Sequence, residues 1–351
     1  MYRPTLTFVL IATLFFALTG CKKQQDVATS RPAGDGGPVK IVYIPKNAGN
    51  PYFNSIDAGF EEGCKAVSAS FFTTAPDSPD LTSQIPFIQD QAQQDVSAIC
   101  ISPNDVAALD QACDDARAKG VKVIMVNSDI TGNESHRDAA VFPTDFSKVG
   151  SQQIELLGSL INYTGEFAIL SSTTNAPDQN FWIEGMKQAL KNPKYEKMKL
   201  VEIVYGNDQP EKSRTEAEGL ISKHPNLRGI LAPTTVGVEQ AAKTVDTAGV
   251  YPGGPAAKNG GIVVTGLGNP NQMRDYLKRG IIPSCSLWNV PDIGYIAACL
   301  ASGLVKGTIH AEPGKSFDVP GKGSFTFGPN NTVIAGPMVV FTKDNVDQFH
   351  F

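Results

Sequence analysis

The segment NAPDQNFW, Asn175 to Trp182, gathers an acid, amides and two aromatics in one short stretch. Carboxylates and amides share hydrogen bonds with hydroxyl groups, and an aromatic face covers the C–H side of a ring. A set of this kind grips a polar solute that has an apolar face. Similar groups recur along the chain. Lys46 and Phe53 lie in PKNAGNPYF, Asn127 and Asp129 in VNSD, and Pro233 and Thr235 in APTT. Asn269 follows GLG, and Trp288 and Asn289 close SLWN. With Asp178, Gln179 and Trp182 they supply one cation, several acids and amides, and several aromatics. Ionised partners make the stronger hydrogen bonds, and ring burial adds apolar contact. The inventory suits a ligand dense in hydroxyl groups.

The same residues argue against turnover. His136, His224, His310 and His350 are the only histidines, and none falls at a predicted strand end beside a nucleophile. There is no GxSxG and no HExxH, and GLGNPN lacks the third glycine of a dinucleotide fingerprint. Asp129 and Asp178 are the one acid pair that glycoside hydrolysis would use. The expectation is a binding protein, not an enzyme, with no cofactor, no catalytic residue and no metal site.

Each of these groups follows a strand-like run. IVYI (Ile41 to Ile44) precedes a helical stripe of Phe53, Ile56, Phe60, Cys64 and Val67. FFTT, AICI (Ala98 to Ile101), VKVIMVN (Val121 to Asn127) and AAVF (Ala139 to Phe142) are further strands. Helices are predicted over Leu81–Gln94 and Asp105–Lys119, the second ending at Gly120. The pattern then restarts. Asp145 caps a helix to about Ile161, and Pro210 opens another that reaches Lys223. EFAIL, KLVEIVY, RGILA, GIVVTGLG and SCSLW read as strands. Helices near Gln179–Leu190, Val236–Ala248 and Pro291–Val305 lie among them, and one ends at Arg279. The tail from Lys315 reads as short β pieces. This is α/β: two doubly wound units with parallel sheets. Ligands of such sheets sit beyond the carboxyl ends of the strands, where the polar groups above fall.

The N-terminus adds a destination. Arg3 precedes an apolar stretch from Leu6 to Leu18, followed by LTGC. The stretch is short for a membrane span of roughly 20 residues and reads as an export signal. Its end has the form of a lipobox, so 1–21 is expected to be a lipoprotein signal peptide with Cys21 as the lipid-bearing residue. The polar, Gly- and Pro-rich 22–39 is expected to be a flexible tether. Net charge is −5 without a basic stripe, which argues against nucleic acid as a partner. The other cysteines, Cys64, Cys100, Cys113, Cys285 and Cys299, fall at apolar positions and read as buried small hydrophobes. One disulfide among them is compatible with export.

The motifs YIPKNAGNPYF, ISPND, VNSD, PDQNFW, APTT and SLWN carry a resemblance. Over nearly all of Lys40 to Phe341 the chain resembles the periplasmic sugar-binding proteins of ATP-driven importers, of the type I solute-binding fold. The most similar branch is that of the rhamnose-binding and autoinducer-2-binding proteins. The resemblance implies a first lobe of 40–143 plus 289–310 and a second of 144–288 plus part of 311–351, joined by a hinge. Closure would trap the ligand, and the closed shape would be read by an ABC permease. By the same resemblance Lys46, Asp178, Gln179 and Pro233 match ligand-holding positions of the autoinducer-2 binders. Asn127 stands where those have an acid, and Thr235 where they have Ala. The departures favour a monosaccharide, first a deoxyhexose such as rhamnose. Autoinducer-2-type binding, or sugar sensing for a chemoreceptor or kinase, is the alternative. The protein is expected to be exported to the periplasm or cell envelope, membrane-anchored through its lipid, and monomeric.

Overall fold

Apolar runs and amphipathic stripes alternate from Lys40 onward and fold accordingly. The order begins β1 (Lys40–Ile44), α1 (Pro51–Val67), β2 (Ser70–Thr73), α2 (Ile85–Gln93), β3 (Ala98–Ile101), α3 (Asp110–Ala118), β4 (Lys122–Val126), β5 (Ala139–Phe142). It continues α4 (Phe146–Leu160), β6 (Gly165–Ser171), α5 (Pro177–Ala189), β7 (Met198–Tyr205), α6 (Pro210–Lys223), β8 (Leu227–Ala232), α7 (Thr235–Ala248), β9 (Val263–Gly266). Then follow α8 (Pro270–Lys278), β10 (Cys285–Leu287), α9 (Val290–Lys306), β11 (Ser316–Val319), β12 (Gly323–Thr326), β13 (Thr332–Ile334) and β14 (Val339–Phe341). This computed structural model describes residues 1–2 and 37–351. The expected apolar signal, Cys21 and the tether up to residue 36 lie outside the described residues.

One sheet has the order β13-β5-β4-β3-β1-β2 and a second the order β7-β6-β8-β9. All pairings in both are parallel. An isolated bridge from Leu267 to Ser286 ties β10 beside the second sheet, and β14 pairs antiparallel with β10. In each sheet the first strand in sequence lies between the second and the third. The strand order therefore reverses beside β1 and beside β6, and crevices open at such switch points. β11 and β12 form a separate antiparallel hairpin.

Burial explains the continuous apolar strands. Ile41, Tyr43, Cys100, Ile124 and Val126 face one core with α1 and α9. Their neighbours Val42, Ile44, Ile99, Ile101, Val123 and Met125 face another with α2 and α3. Successive strand residues point to opposite faces, so a strand covered on both sides is apolar throughout. The helices α1 and α9 approach to backbone contact. A Cβ on Gly59 would lie 1.9 Å from the Pro291 carbonyl oxygen, and one on Gly294 2.1 Å from that of Ile56.

Two helices start later than their sequence suggests. The stretch from Leu81 is turn until α2 begins at Ile85, with Pro86 in its first turn. Asp105 does accept from the amides of Ala107 and Ala108, both at 2.9 Å, but the turn it closes is not continued, and α3 begins at Asp110. Asp145 and Pro210 open α4 and α6 as expected. Cys64, Cys100, Cys113, Cys285 and Cys299 are all buried, and none of them is in a disulfide among the described residues.

Candidate functional site

The loop after β1 carries Lys46, and buried amides hold it in place. Gln84, fully buried, donates through Nε2 to the carbonyl oxygens of Pro45 at 2.9 Å and Ser102 at 2.8 Å, and accepts from the Asn104 amide at 2.9 Å. Asn104 in turn donates through Nδ2 to the Lys46 carbonyl at 3.0 Å. The backbone of Lys46 is thus fixed and its side chain leaves toward α5. There Pro177 occupies the first turn, and Ala176 precedes it without a side-chain cap. Asp178 does not cap the helix. Its Oδ1 accepts from Lys46 Nζ at 2.5 Å, and its Oδ2 accepts from Asn127 Nδ2 at 3.4 Å. Gln179 accepts from Lys46 Nζ at 3.4 Å and donates through Nε2 to the Pro233 carbonyl at 3.5 Å.

Asn127 follows β4 in a left-handed conformation, φ 71°, which Asn tolerates better than most residues. Its Oδ1 accepts from the Tyr52 hydroxyl, and that hydroxyl accepts from Trp288 Nε1 at 2.8 Å. Burial holds the Tyr52 phenol well above its ordinary pKa, against the pull of the Trp288 bond. The rings of Trp182 and Trp288 lie 5.7 Å apart at 58°, and Phe146 meets Trp182 edge-on at 5.0 Å. Trp182 Nε1 is buried without a partner among the described residues. Such a donor costs about 1–3 kcal/mol unless something accepts from it.

These groups line one narrow cavity at the strand ends. Of the residues singled out in the sequence, Lys46, Phe53, Asn127, Asp178, Gln179, Trp182, Pro233, Thr235 and Trp288 line it together. Three others do not. Asp129 is held by Arg137, which donates to Oδ1 through Nε and to Oδ2 through Nη2, both at 2.6 Å. A buried guanidinium needs such a two-pronged partner, and it turns the acid away from the cavity. Asn289 precedes α9, and its Nδ2 donates to Asp292 at 2.8 Å from an exposed position. Asn269 precedes α8 and is buried outside the cavity wall, with neither end of its amide partnered among the described residues.

The cavity wall also holds Asn50, Tyr52, Asp208, Thr234, Leu267 and Leu287. Asp208 follows β7, so the strand-end rule points to it. Its Oδ2 accepts from Ser172 Oγ at 2.7 Å and its Oδ1 from the Thr234 hydroxyl. Burial raises its pKa from 3.8, opposed by those two hydroxyls and by Lys46. Tyr52 is the immediate neighbour of Phe53 in the first turn of α1. Among the described residues there is no group of three His, Cys, Asp or Glu placed to hold a metal ion.

Two parallel doubly wound sheets with a polar, aromatic-walled cavity at their strand ends define a two-lobed binding protein. The profile described as periplasmic binding protein domain matches residues 41–309, and the chain belongs to that family. A D-ribose/D-allose-binding protein of Pseudomonas aeruginosa is 24% identical over 250 residues, 69% of this chain and 74% of that one. An ABC transporter solute-binding protein from Clostridium phytofermentas, solved with bound L-rhamnose, is 30% identical. It superposes with a TM-score of 0.83 over 89% of this chain and 98% of that one. LsrB from Clostridium saccharobutylicum in complex with AI-2 shares the fold, with a TM-score of 0.81 at 23% identity, over 89% of this chain and all (100%) of that one. The fold is that of the type I periplasmic binding proteins, and the chain is a solute-binding protein and not an enzyme.

Proposed function

We propose that this protein captures a monosaccharide between its two lobes and delivers it to an ABC permease, with a deoxyhexose such as L-rhamnose as the favoured ligand. One observation carries the reading. Lys46 and Asn127 at the ends of β1 and β4 meet Asp178 and Gln179 at the start of α5, under Trp182 and Trp288. Charged and amide groups would share the sugar hydroxyls while the indole rings cover its C–H face. The similarity to ribose-, allose- and rhamnose-binding relatives supports the same class. We place the ligand contacts on Lys46, Phe53, Asn127, Asp178, Gln179, Trp182, Pro233, Thr235 and Trp288. The hinge is proposed where the chain passes from β5 to α4 and from β10 to α9.

The test is thermal unfolding of the chain from Lys40 onward, refolded to strip carried-over solute, against L-rhamnose, other hexoses and pentoses, and autoinducer-2. A ligand at 100 times its dissociation constant adds roughly 2.7 kcal/mol, a shift of several degrees. A shift with one sugar supports the reading and names the ligand. A shift with autoinducer-2 alone replaces the sugar by that signal, and a flat panel removes the reading. The lipid anchor on Cys21 rests on the LTGC motif. Cys21→Ala should move the protein from the membrane to the soluble fraction.

A further inference from the structure

We infer that Trp288 and Tyr52 are a positioning pair that fixes the amide of Asn127 with its NH₂ toward Asp178 and the cavity. Position 127 is then a hydrogen-bond donor to the ligand, selecting a sugar oxygen that accepts there while a neighbouring hydroxyl donates to Asp178. The inference deepens the sugar-binding reading and rests on it.

The direction of the chain of bonds follows from chemistry. An indole N–H only donates, and Trp288 Nε1 lies 2.8 Å from the Tyr52 oxygen. That oxygen therefore accepts from Trp288, and its single proton goes to Asn127. Only the carbonyl end of an amide accepts, so Oδ1 faces Tyr52 and Nδ2 faces Asp178, at 3.4 Å from Oδ2. The other oxygen of Asp178 receives Lys46. The amide has two N–H groups, and Asp178 takes one. Asn127 lines the cavity, which leaves the second for a ligand. The backbone cannot swing to undo this, because the Asn127 N–H is held by the Val141 carbonyl at 2.9 Å. A donor beside an acceptor fits a ring oxygen, ether or hydroxyl oxygen next to a hydroxyl proton. Two adjacent carboxylates would demand two hydroxyl protons instead.

The surroundings make this choice sensitive to charge. Lys46 and the carboxyls of Asp178 and Asp208 line the cavity with Asn127. Asp129, two positions along, is committed to Arg137, and Tyr52 and Trp288 are uncharged. Asn127→Asp would put a further carboxyl against Asp178 with Lys46 as the one cation on the cavity wall. The substituted side chain would then fit best while it carries a proton, although its single O–H replaces only one of the amide's two N–H groups.

The experiment is calorimetric titration of the detergent-solubilised full-length protein with L-rhamnose, D-ribose, D-allose, D-xylose and L-arabinose. Wild type, Asn127→Asp and Tyr52→Phe are compared from about pH 5 to about pH 8, above free carboxyl values. For the sugar that wild type binds, Asn127→Asp is expected to bind more weakly than wild type at every pH and to come nearest to it at the acid end. It should then weaken by up to about tenfold per pH unit as pH rises, while wild type stays nearly flat. Tyr52→Phe should weaken binding about tenfold or more at every pH, because the amide loses its anchor. Recovery at low pH is a result that a merely structural role for Asn127 does not give. An Asn127→Asp affinity that is pH-independent, or a Tyr52→Phe affinity equal to wild type, overturns the inference and leaves the sugar reading standing. A wild-type protein that binds none of the sugars overturns the sugar reading, and the inference with it.

Discussion

Lys46 Nζ and Asp178 Oδ1 are 2.5 Å apart, with side chains 3% and 1% exposed, and they lie 132 positions apart in the chain. A buried pair of this kind is costly to assemble and more costly to break, because one charge is left without a partner. It joins the loop after β1, at the carboxyl edge of the first sheet, to the first turn of α5, which leads out of the second.

Lys46→Met and Asp178→Asn should therefore be strongly non-additive. Each single change leaves a buried charge or dipole unmatched, a loss of about 3–5 kcal/mol in the ligand-bound form. The double variant should lose much less than the sum. A double-mutant cycle by calorimetry, with the sugar found in the thermal panel, measures the coupling. Additive losses would show that the two side chains act independently and that their contact is incidental to closure.

The contact between α1 and α9 is testable without a ligand. Gly59→Ala would drive a methyl group into the Pro291 carbonyl, at 1.9 Å, and the helices would have to separate. The cost should be about 3 kcal/mol, at the upper end for overpacking. Gly219 in α6 is the control, since a Cβ there meets nothing within 4 Å. Gly219→Ala should stabilise by about 0.5–1 kcal/mol, the helix-propensity difference. Urea unfolding of both variants decides it, and equal midpoints would mean that the helices are not in backbone contact.

How much of this was legible in the sequence depended on whether the signal was local. The strands announce themselves because IVYI, AICI and VIMV are buried on both faces, so no polar residue interrupts them. Asp145 and Pro210 mark helix starts by side-chain and ring geometry that needs no distant partner. The strand-end rule points to Lys46, Asn127, Asp178 and Trp288, and topology alone brings those loops to one crevice. What the rule cannot give is the direction of a side chain. Asp129 follows its strand as the others do, yet both its oxygens pair with Arg137 and it does not line the cavity. Asn289 was assigned and turns to Asp292. Tyr52 and Phe53 are neighbours in one motif and both line the cavity, and nothing local marks Tyr52 as the one that reaches Asn127. Its role depends on Trp288, 236 positions away.

Gln84 is a further case, since nothing near it in sequence marks it. Its amide bridges the carbonyls after β1 and β3 and the backbone of Asn104. Gln84→Ala leaves several buried backbone groups unpaired, which should cost about 2–4 kcal/mol of stability at about 1–3 per orphaned group with partial relaxation. Affinity should fall as well, because the Lys46 loop loses its brace. Gln84→Glu should be no better, since a carboxylate cannot donate to those carbonyls. Chemical denaturation checks the first expectation. A midpoint within experimental error of wild type would mean that water or a neighbouring amide replaces the bridge.

Asp208 ties the site to pH. Burial raises its pKa above 3.8, and the Ser172 and Thr234 hydroxyls and Lys46 offset only part of that. A carboxyl with a raised folded pKa favours the folded state when protonated. Its contribution to stability is complete below the unfolded pKa and is lost as pH rises through the folded value. Asp208→Asn keeps the shape and removes the titration. At the acid end the variant should match wild type, because the protonated acid, like the amide, offers one donor end and one acceptor end, and one of the two hydroxyls reverses to meet either. As pH rises from about 4 toward neutrality, around and above the free carboxyl value, the variant should gain relative to wild type. Melting curves of the two proteins across that window give the difference directly. A difference that stays constant with pH would mean that Asp208 has the same pKa folded and unfolded, and that the hydroxyls and Lys46 compensate fully for its burial.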